Sequence, residues 1–139
     1  MRHHQLIAAA GLAVALTGCH GPKSDCEGTM QSYAALIDGN SWDDIPDLVY
    51  PPQRTKLGDG AIRGWTAANY QGATSFEFTH LDAAVSKDVC FATTVAKWRQ
   101  KIRGQNPVVF DDEAFTFTLH LINGTWYMEM PGAAKVGAY

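Results

Sequence analysis

Between Cys26 and Ile37 the apolar residues Met30, Tyr33, Ala34 and Ile37 fall on one face of a helix. Gly39 and Asn40 supply its stop. Ser41 is placed to cap a short second helix over Trp42–Val49. Asp43 and Asp44 would lie in its first turn, where negative charge suits the dipole, and Pro46 is tolerated only that near a start. Pro51-Pro52 then breaks the chain. Ala61, Ile62, Trp65 and Ala68 mark a weaker third helix in Gly58–Tyr70, loosened by Gly60 and Gly64. After Gly72 the period changes from helical to alternating. Ser75–Val85 reads as a strand with Phe76 and Phe78 on one face, Ser86-Lys87-Asp88 as a turn, and Val89–Arg103 as a long β-branched and aromatic strand. Gly104–Pro107 is the next turn. Val108–Ile122 is a third strand, bent around Asp111-Asp112, and Thr125–Met130 returns as a fourth.

Helices followed by an antiparallel meander predict an α+β domain, with the helices on one face of a curved sheet of about four strands. The last hairpin fixes a register. Asn123-Gly124 suits a type I′ turn, whose two central residues both need positive φ. Ile122 then faces Thr125, Leu121 faces Trp126, His120 faces Tyr127 and Thr118 faces Glu129. Alternate pairs share a face. Phe117, Leu119, Leu121, Trp126, Met128 and Met130 are therefore core, and Thr118, His120, Tyr127 and Glu129 lie on the opposite side.

The amino terminus has a different character. Arg2 stands in a short charged start, Leu6–Leu16 is apolar apart from Gly11, and Leu16-Thr17-Gly18-Cys19 follows. Such a run is too short to span a bilayer, which takes about 20 residues, and reads as a secretory signal peptide. Its last four residues resemble the lipobox of bacterial lipoproteins. That resemblance implies cleavage before Cys19, lipid on its sulfur and acylation of the new amine. It divides the chain into a signal peptide (residues 1–18), a lipidated tether (19–25), one domain (26–130) and a loose tail (131–139). His20 follows the cysteine; a residue other than Asp there favours the outer membrane, facing the periplasm, in a Gram-negative cell.

Charge and cysteines narrow the picture further. The chain carries 14 acidic and 11 basic residues, for a net charge of −3, and loses another positive charge with Arg2. A weakly acidic domain lacks the basic face that general nucleic-acid binding needs. Of the 3 cysteines, lipidation of Cys19 leaves Cys26 and Cys90, an even pair in an oxidising compartment. A structural disulfide fits them better than a metal or redox pair, since no CxxC is present.

The turn Asp38-Gly39-Asn40-Ser41-Trp42-Asp43 between two helices, with closing hairpins that end in Gly124-Thr125-Trp126-Tyr127, resembles the nuclear transport factor 2-like superfamily. The resemblance spans roughly Glu27–Met130 and implies a cone of helices against a bent sheet. That superfamily hosts enzymes, secretion components and pure binding modules, so the fold leaves function open. Some of its enzymes place Tyr and Asp inside the cone to move protons beside a carbonyl; Tyr33 and Asp38 match that too loosely to carry a role.

Chemistry-bearing constellations are few. Thr118, His120, Tyr127 and Glu129 form a candidate surface binding patch, with the residue types of acid/base work, although a solvated sheet face with a His–Tyr pair packed for stability explains them better. Lys97, Arg99, Lys101 and Arg103 alternate with Trp98 and Ile102. They could hold lipid headgroups, phosphate or an acidic partner, but pairing with Asp111, Asp112 and Glu113 returning near Arg99 is the leading expectation. Asp43, Asp44 and Asp47 lack the glycine-containing oxygen loop of a calcium site, and His80 reads as a structural residue. No HExxH, GxSxG, Walker or dinucleotide motif occurs, so no metal, cofactor or catalytic residue is expected. The leading expectation is a non-enzymatic binding or accessory lipoprotein, held to a membrane by its lipid and meeting a protein partner in the cell envelope. The alternatives are an immunity-type inhibitor of a secreted toxin and a small enzyme with a hydrophobic pocket in the cone. Side chains of Phe and Trp filling that cone would count against the enzyme.

Overall fold

The computed structural model describes residues Gly21–Gly132. The segments read as a signal peptide and as a lipobox ending in Cys19, together with His20 and the tail beyond Gly132, lie outside the described residues. The first helix, α1 (Pro22–Asp38), begins four residues before Cys26. Part of the segment expected to be tether is therefore helical. Pro22 explains the early start: its fixed φ suits the first helical position, where its missing N–H has no partner to lose. Asp25 adds favourable charge to the first turn. The helix buries Cys26, Met30, Tyr33, Ala34 and Ile37, the face expected from their spacing.

The helix ends in a Schellman arrangement. Ser41 N–H donates to Leu36 O at 2.8 Å and Asn40 N–H to Ile37 O at 3.0 Å, with Asn40 in the left-handed region at φ 54°. Asn40 then ties two elements together, its side-chain amide donating to Ala73 O and its oxygen accepting from Gly72 N–H.

The second helix is a 3-10 helix, Trp42–Leu48, and Ser41 makes no side-chain cap. Pro46 lies inside it and has no N–H to offer an α-helical ladder, and the shorter i→i+3 bond of Val49 N–H to Pro46 O closes the segment instead. Pro51-Pro52 does not break the chain but opens α2 (Pro51–Leu57), because prolines at the first two positions give up only N–H groups that a helix start leaves unpaired. α3 (Asp59–Tyr70) follows after Gly58 and buries Ile62, Trp65, Thr66 and Tyr70.

Four strands, β1 (Ala73–Ser86), β2 (Val89–Gln100), β3 (Val108–Ile122) and β4 (Thr125–Met128), form one antiparallel sheet in chain order. Its bend has a local cause. The pairing slips between Thr74 and Glu77 and between Phe78 and His80 in β1, and between Ala96 and Trp98 opposite β3. Ser75 and Asp112 adopt φ 55° and 54° at these places. Extra residues on both neighbours of β2 therefore fall at one height, and bulges of this kind bend a sheet. The bend expected at Asp111-Asp112 is thus present, with two partners in β1 that the alternation there concealed. The far edge is covered too: Val49 bridges Met128 in parallel and Tyr50 N–H donates to Met128 O at 2.8 Å.

The closing hairpin has the expected register, Ile122 to Thr125, Leu121 to Trp126, His120 to Tyr127 and Leu119 to Met128. Asn123 and Gly124 both have positive φ. Cys26 and Cys90 are bonded, with Cα atoms 6.6 Å apart, across a sequence separation of 64 residues. Closing a loop of that length stabilises by about 4 kcal/mol in the chain-entropy account. The bond joins the first turns of α1 to the beginning of β2.

Register dictates a contrast between neighbours. Trp126 is 3% exposed in the core, whereas Tyr127 on the other face is half-buried. Trp126→Ala should lower unfolding free energy by about 3–5 kcal/mol, and Tyr127→Ala by less than half as much. Denaturant unfolding with the disulfide intact makes the comparison.

Candidate functional site

The outer face of the sheet gathers the four residues of the candidate patch. His120 stands opposite Tyr127, and Glu129 N–H donates to Thr118 O at 2.8 Å, which continues the pairing past β4. All four are half-buried, not openly solvated. Part of the cover is Tyr50, whose ring stacks on the His120 imidazole with centroids 4.0 Å apart and planes 20° apart. The sequence signals this partner only as a tyrosine before two prolines. His120 Nε2 is shielded from solvent and lies 3.3 Å from Glu129 Oε2, but out of line for a hydrogen bond. The pair is ionic only when the imidazole carries a second proton. Across from Thr118 stands Phe91 on β2, 50% exposed, and across from His120 stands Val89. Phe91 extends the patch onto the central part of the sheet, a contribution that sequence reasoning missed because alternation alone does not reveal which face stays uncovered.

The concave face is occupied by rings. Tyr33 meets Phe117 edge-on at 5.6 Å, Phe117 lies 6.5 Å from Phe78, and Phe78 lies 5.7 Å from Phe76. Phe76 and Tyr70 both pack on Trp98, which stacks on Phe110 at 4.6 Å. The rings form one continuous series from α1 to the bend of the sheet, in the edge-on and offset geometries that aromatic quadrupoles favour. Burial drives the Tyr33 phenol well above its ordinary range, and its hydroxyl lies near Tyr70 without hydrogen-bond geometry to any partner. Burial also pushes Tyr70 up to about 12; the neighbouring Tyr33 opposes the rise and the negative charge of Glu113 adds to it. Asp38 is committed elsewhere, its Oδ1 accepting from Phe76 N–H at 2.8 Å. Tyr33 and Asp38 therefore do not make a proton-transfer pair.

Gln100 is a buried clamp at the end of β2. Its amide donates to Asn69 O and Gln71 O, both at 3.1 Å, and its oxygen accepts from the Trp98 indole at 3.2 Å. Nothing in the sequence distinguishes it from a surface glutamine. It satisfies carbonyls that the end of α3 leaves without partners.

The basic stretch differs from expectation. β2 ends at Gln100, so Lys101 and Arg103 follow in the loop. The expected pairing of Arg99 with Asp111, Asp112 and Glu113 does not form. The bulge near Asp112 places Arg99 opposite Val109, and Glu113 opposite Ala96 on the concave side. Lys97 pairs with Glu77 of β1 instead, at 3.6 Å. Two of the three helix aspartates also have cation partners, Asp43 with Arg63 at 3.5 Å and Asp47 with Arg54 at 3.1 Å. Arg54 grips Asp59 through two bonds of 2.8 and 2.9 Å, which hold the Asp59 carboxyl below the usual range. His80 lies exposed opposite Val95. Among the described residues no three His, Cys, Asp or Glu side chains are grouped to hold a metal.

No family model and no curated protein matches the chain. Solved structures do. A candidate dehydratase of the NTF2-like family from Streptomyces avermitilis superposes with TM-score 0.58 at 10% identity, covering 75% of this chain and 89% of its own. A Mycobacterium tuberculosis protein described as function unknown gives 0.57 at 12% identity, and this chain spans 64% of its length, from 73% of its own. A SEC-C motif containing protein from Rhodopseudomonas palustris gives 0.51 at 14%, with 73% of each chain covered. At such identities the likeness speaks to fold alone, and the fold is the nuclear transport factor 2-like one that the sequence resembles.

The two interior phenols make stability sensitive to alkali. Their pKa values are raised in the folded state, so the unfolded chain loses those protons first as pH rises through 10. Stability is full below that pH and should fall as pH climbs from 10.0 towards the folded value of about 12 for Tyr70. Tyr33→Phe removes an unpaired buried hydroxyl; it should leave neutral-pH stability equal or higher and make the alkaline decline shallower. Urea unfolding of both proteins across the alkaline range checks both outcomes.

Proposed function

We propose that this chain is an exported lipoprotein, held to a membrane through lipid on Cys19, and that its domain is a non-enzymatic module binding a protein partner in the cell envelope. The observation that carries the binding half is the contrast between the two faces of the sheet. The concave face, where a catalytic pocket would lie, is taken up by the rings from Tyr33 to Phe110. The outer face leaves Phe91 half exposed in an interior strand, next to Thr118, His120 and Tyr127. An exposed aromatic flanked on its β3 side by half-buried polar groups has the composition of a protein-binding patch, an aromatic anchor beside a polar rim.

Two observations support the anchoring half. Leu16-Thr17-Gly18-Cys19 follows a short apolar run. Cys26 and Cys90 are bonded to each other, which leaves Cys19 as the remaining cysteine. In a Gram-negative cell His20 favours the outer membrane, with the domain in the periplasm. The candidate dehydratase shares the fold, but a packed cone offers no room beside Tyr33 for a substrate, so an enzymatic role draws no support from that likeness.

Two measurements test the proposal. Mass spectrometry of the mature protein should find an amino terminus that begins at acylated Cys19; an unmodified terminus elsewhere contradicts the anchor. A photo-crosslinking residue at position 91, in cells, should capture one discrete protein, and the same residue at position 56 on α2 should not. Tyr127→Ala should weaken the crosslink from position 91. Equal capture at both positions, or none at position 91, contradicts the docking face.

A further inference from the structure

The domain has two ends, and α1 orients them. Cys26 is bonded to Cys90 and Lys23 pairs with Asp82 at 3.0 Å, so α1 starts at the end where β1 turns into β2. It finishes where Asn40 grips Gly72 and Ala73, and Ala73 stands opposite Gln100 at the end of β2. The 17 residues of α1 span about 25 Å at 1.5 Å each. Cys19 precedes Pro22 by three residues, so the backbone can carry it no more than about 11 Å from the start of α1. On the lipoprotein reading proposed above, the Cys26 end of the domain is therefore the one held near the bilayer, and the end beyond Gln100 lies a helix length from it.

That distal end concentrates charge and apolar surface. Lys97 is paired with Glu77, but Arg99, Lys101 and Arg103 have no carboxylate within 4.0 Å among the described residues, and all three are exposed. Ile102, Val108 and Val109 are 38%, 37% and 61% exposed, three of the four large apolar side chains left open in the described domain. Lys101, Ile102 and Arg103 line a cleft of about 520 Å³ with Gln71 and Gly72. An adjoining cleft of about 340 Å³, which shares Ala68, Gln100 and Ile102, has Tyr70, Trp98 and Phe110 in its wall. The cleft is preorganised. The Gln100 clamp holds its floor, and Gly72 sits so close that a Cβ there would come 2.5 Å from Lys101 O.

We infer that this distal end is a docking surface for an acidic segment of another protein, with carboxylates meeting Arg99, Lys101 and Arg103 and an apolar side chain entering the cleft beside Ile102. Unpaired cations on a chain of net charge −3 make this end the complement of an acidic partner. Interleaved apolar residues suit a peptide better than a bare anion. The anchoring membrane suits it less well, because with α1 upright on its tether the separation of about 25 Å exceeds the screening length of about 8 Å at physiological salt.

The test uses the full-length protein in phosphatidylcholine nanodiscs and, as probe, a fluorescent peptide of alternating glutamate and leucine. Anisotropy should show binding that weakens with added salt, and about tenfold weaker binding to the double variant Lys101→Glu/Arg103→Glu. The double variant Lys56→Glu/Lys87→Glu, with the same change in net charge, should bind as the parent does. Unfolding curves for all three establish that each is folded. A peptide with glutamine in place of glutamate should bind no variant. Equal losses in both double variants, or equal binding of the glutamine peptide, overturn the inference. So does tighter capture of added phosphatidylglycerol vesicles than of the peptide, which would make the end a membrane contact. Mass spectrometry of Cys19 separates the two claims, since absence of lipid removes the orientation while peptide binding still reads the docking surface.

Discussion

The carboxylate of Asp38 takes the backbone N–H of Phe76, and the shape of the molecule turns on that bond. A bulge in β1 places Ser75 in the left-handed region and disrupts the ladder to β2 over Ser75 and Phe76. The Phe76 N–H is partly buried there, and left unpaired it would oppose the bend by up to roughly 1 kcal/mol. Asp38, in the last turn of α1, removes that obstacle and locks the helix end to the bend. Asn40 repeats the device two residues later, with one side-chain group on Ala73 and another on Gly72. The disulfide from Cys26 to Cys90 secures the other end of α1. A helix held at both ends over a sheet bent across its middle encloses a cone.

Function follows from how the cone is used. Large rings on α1, α3 and the three long strands meet inside it, so the interior contributes cohesion, not a binding cavity. What remains available are the outer face around Phe91 and the distal end beyond Gln100. They lie on different parts of the surface and have different chemistry, one aromatic and nearly neutral, the other cationic with open aliphatic side chains. On the proposed lipoprotein reading, a module tethered at one end and carrying two such surfaces would be suited to bridging partners.

Much of this architecture was legible along the chain. The helical face of α1, the change of period after Gly72, the cysteine pairing and the register of the last hairpin follow from simple rules: periodicity, the pair of cysteines left once Cys19 is set aside, and the positive φ that Asn123 and Gly124 supply. The candidate patch came together because that register is set by a two-residue turn. What stayed hidden depends on contacts distant in sequence. Tyr50 reaches His120 only because Val49 pairs with the edge of β4. Gln100 looks like any strand-end glutamine until the end of α3 arrives above it. Pro51-Pro52 is compatible with a break and with a helix start, and only the helical turn made by the next residues decides between them. Arg99 missed its expected acids because one extra residue near Asp112 shifts the pairing.

The central claim is that the cone is filled and that binding takes place outside it. Aromatic resonances of Tyr33, Phe76 and Phe117, followed by NMR while small apolar ligands such as benzene and indole are added, test this directly, because empty apolar cavities bind such compounds. The account predicts no saturable shift at these rings up to the solubility of each ligand. Saturable shifts confined to them would show an open, ligand-accepting cone and would contradict it.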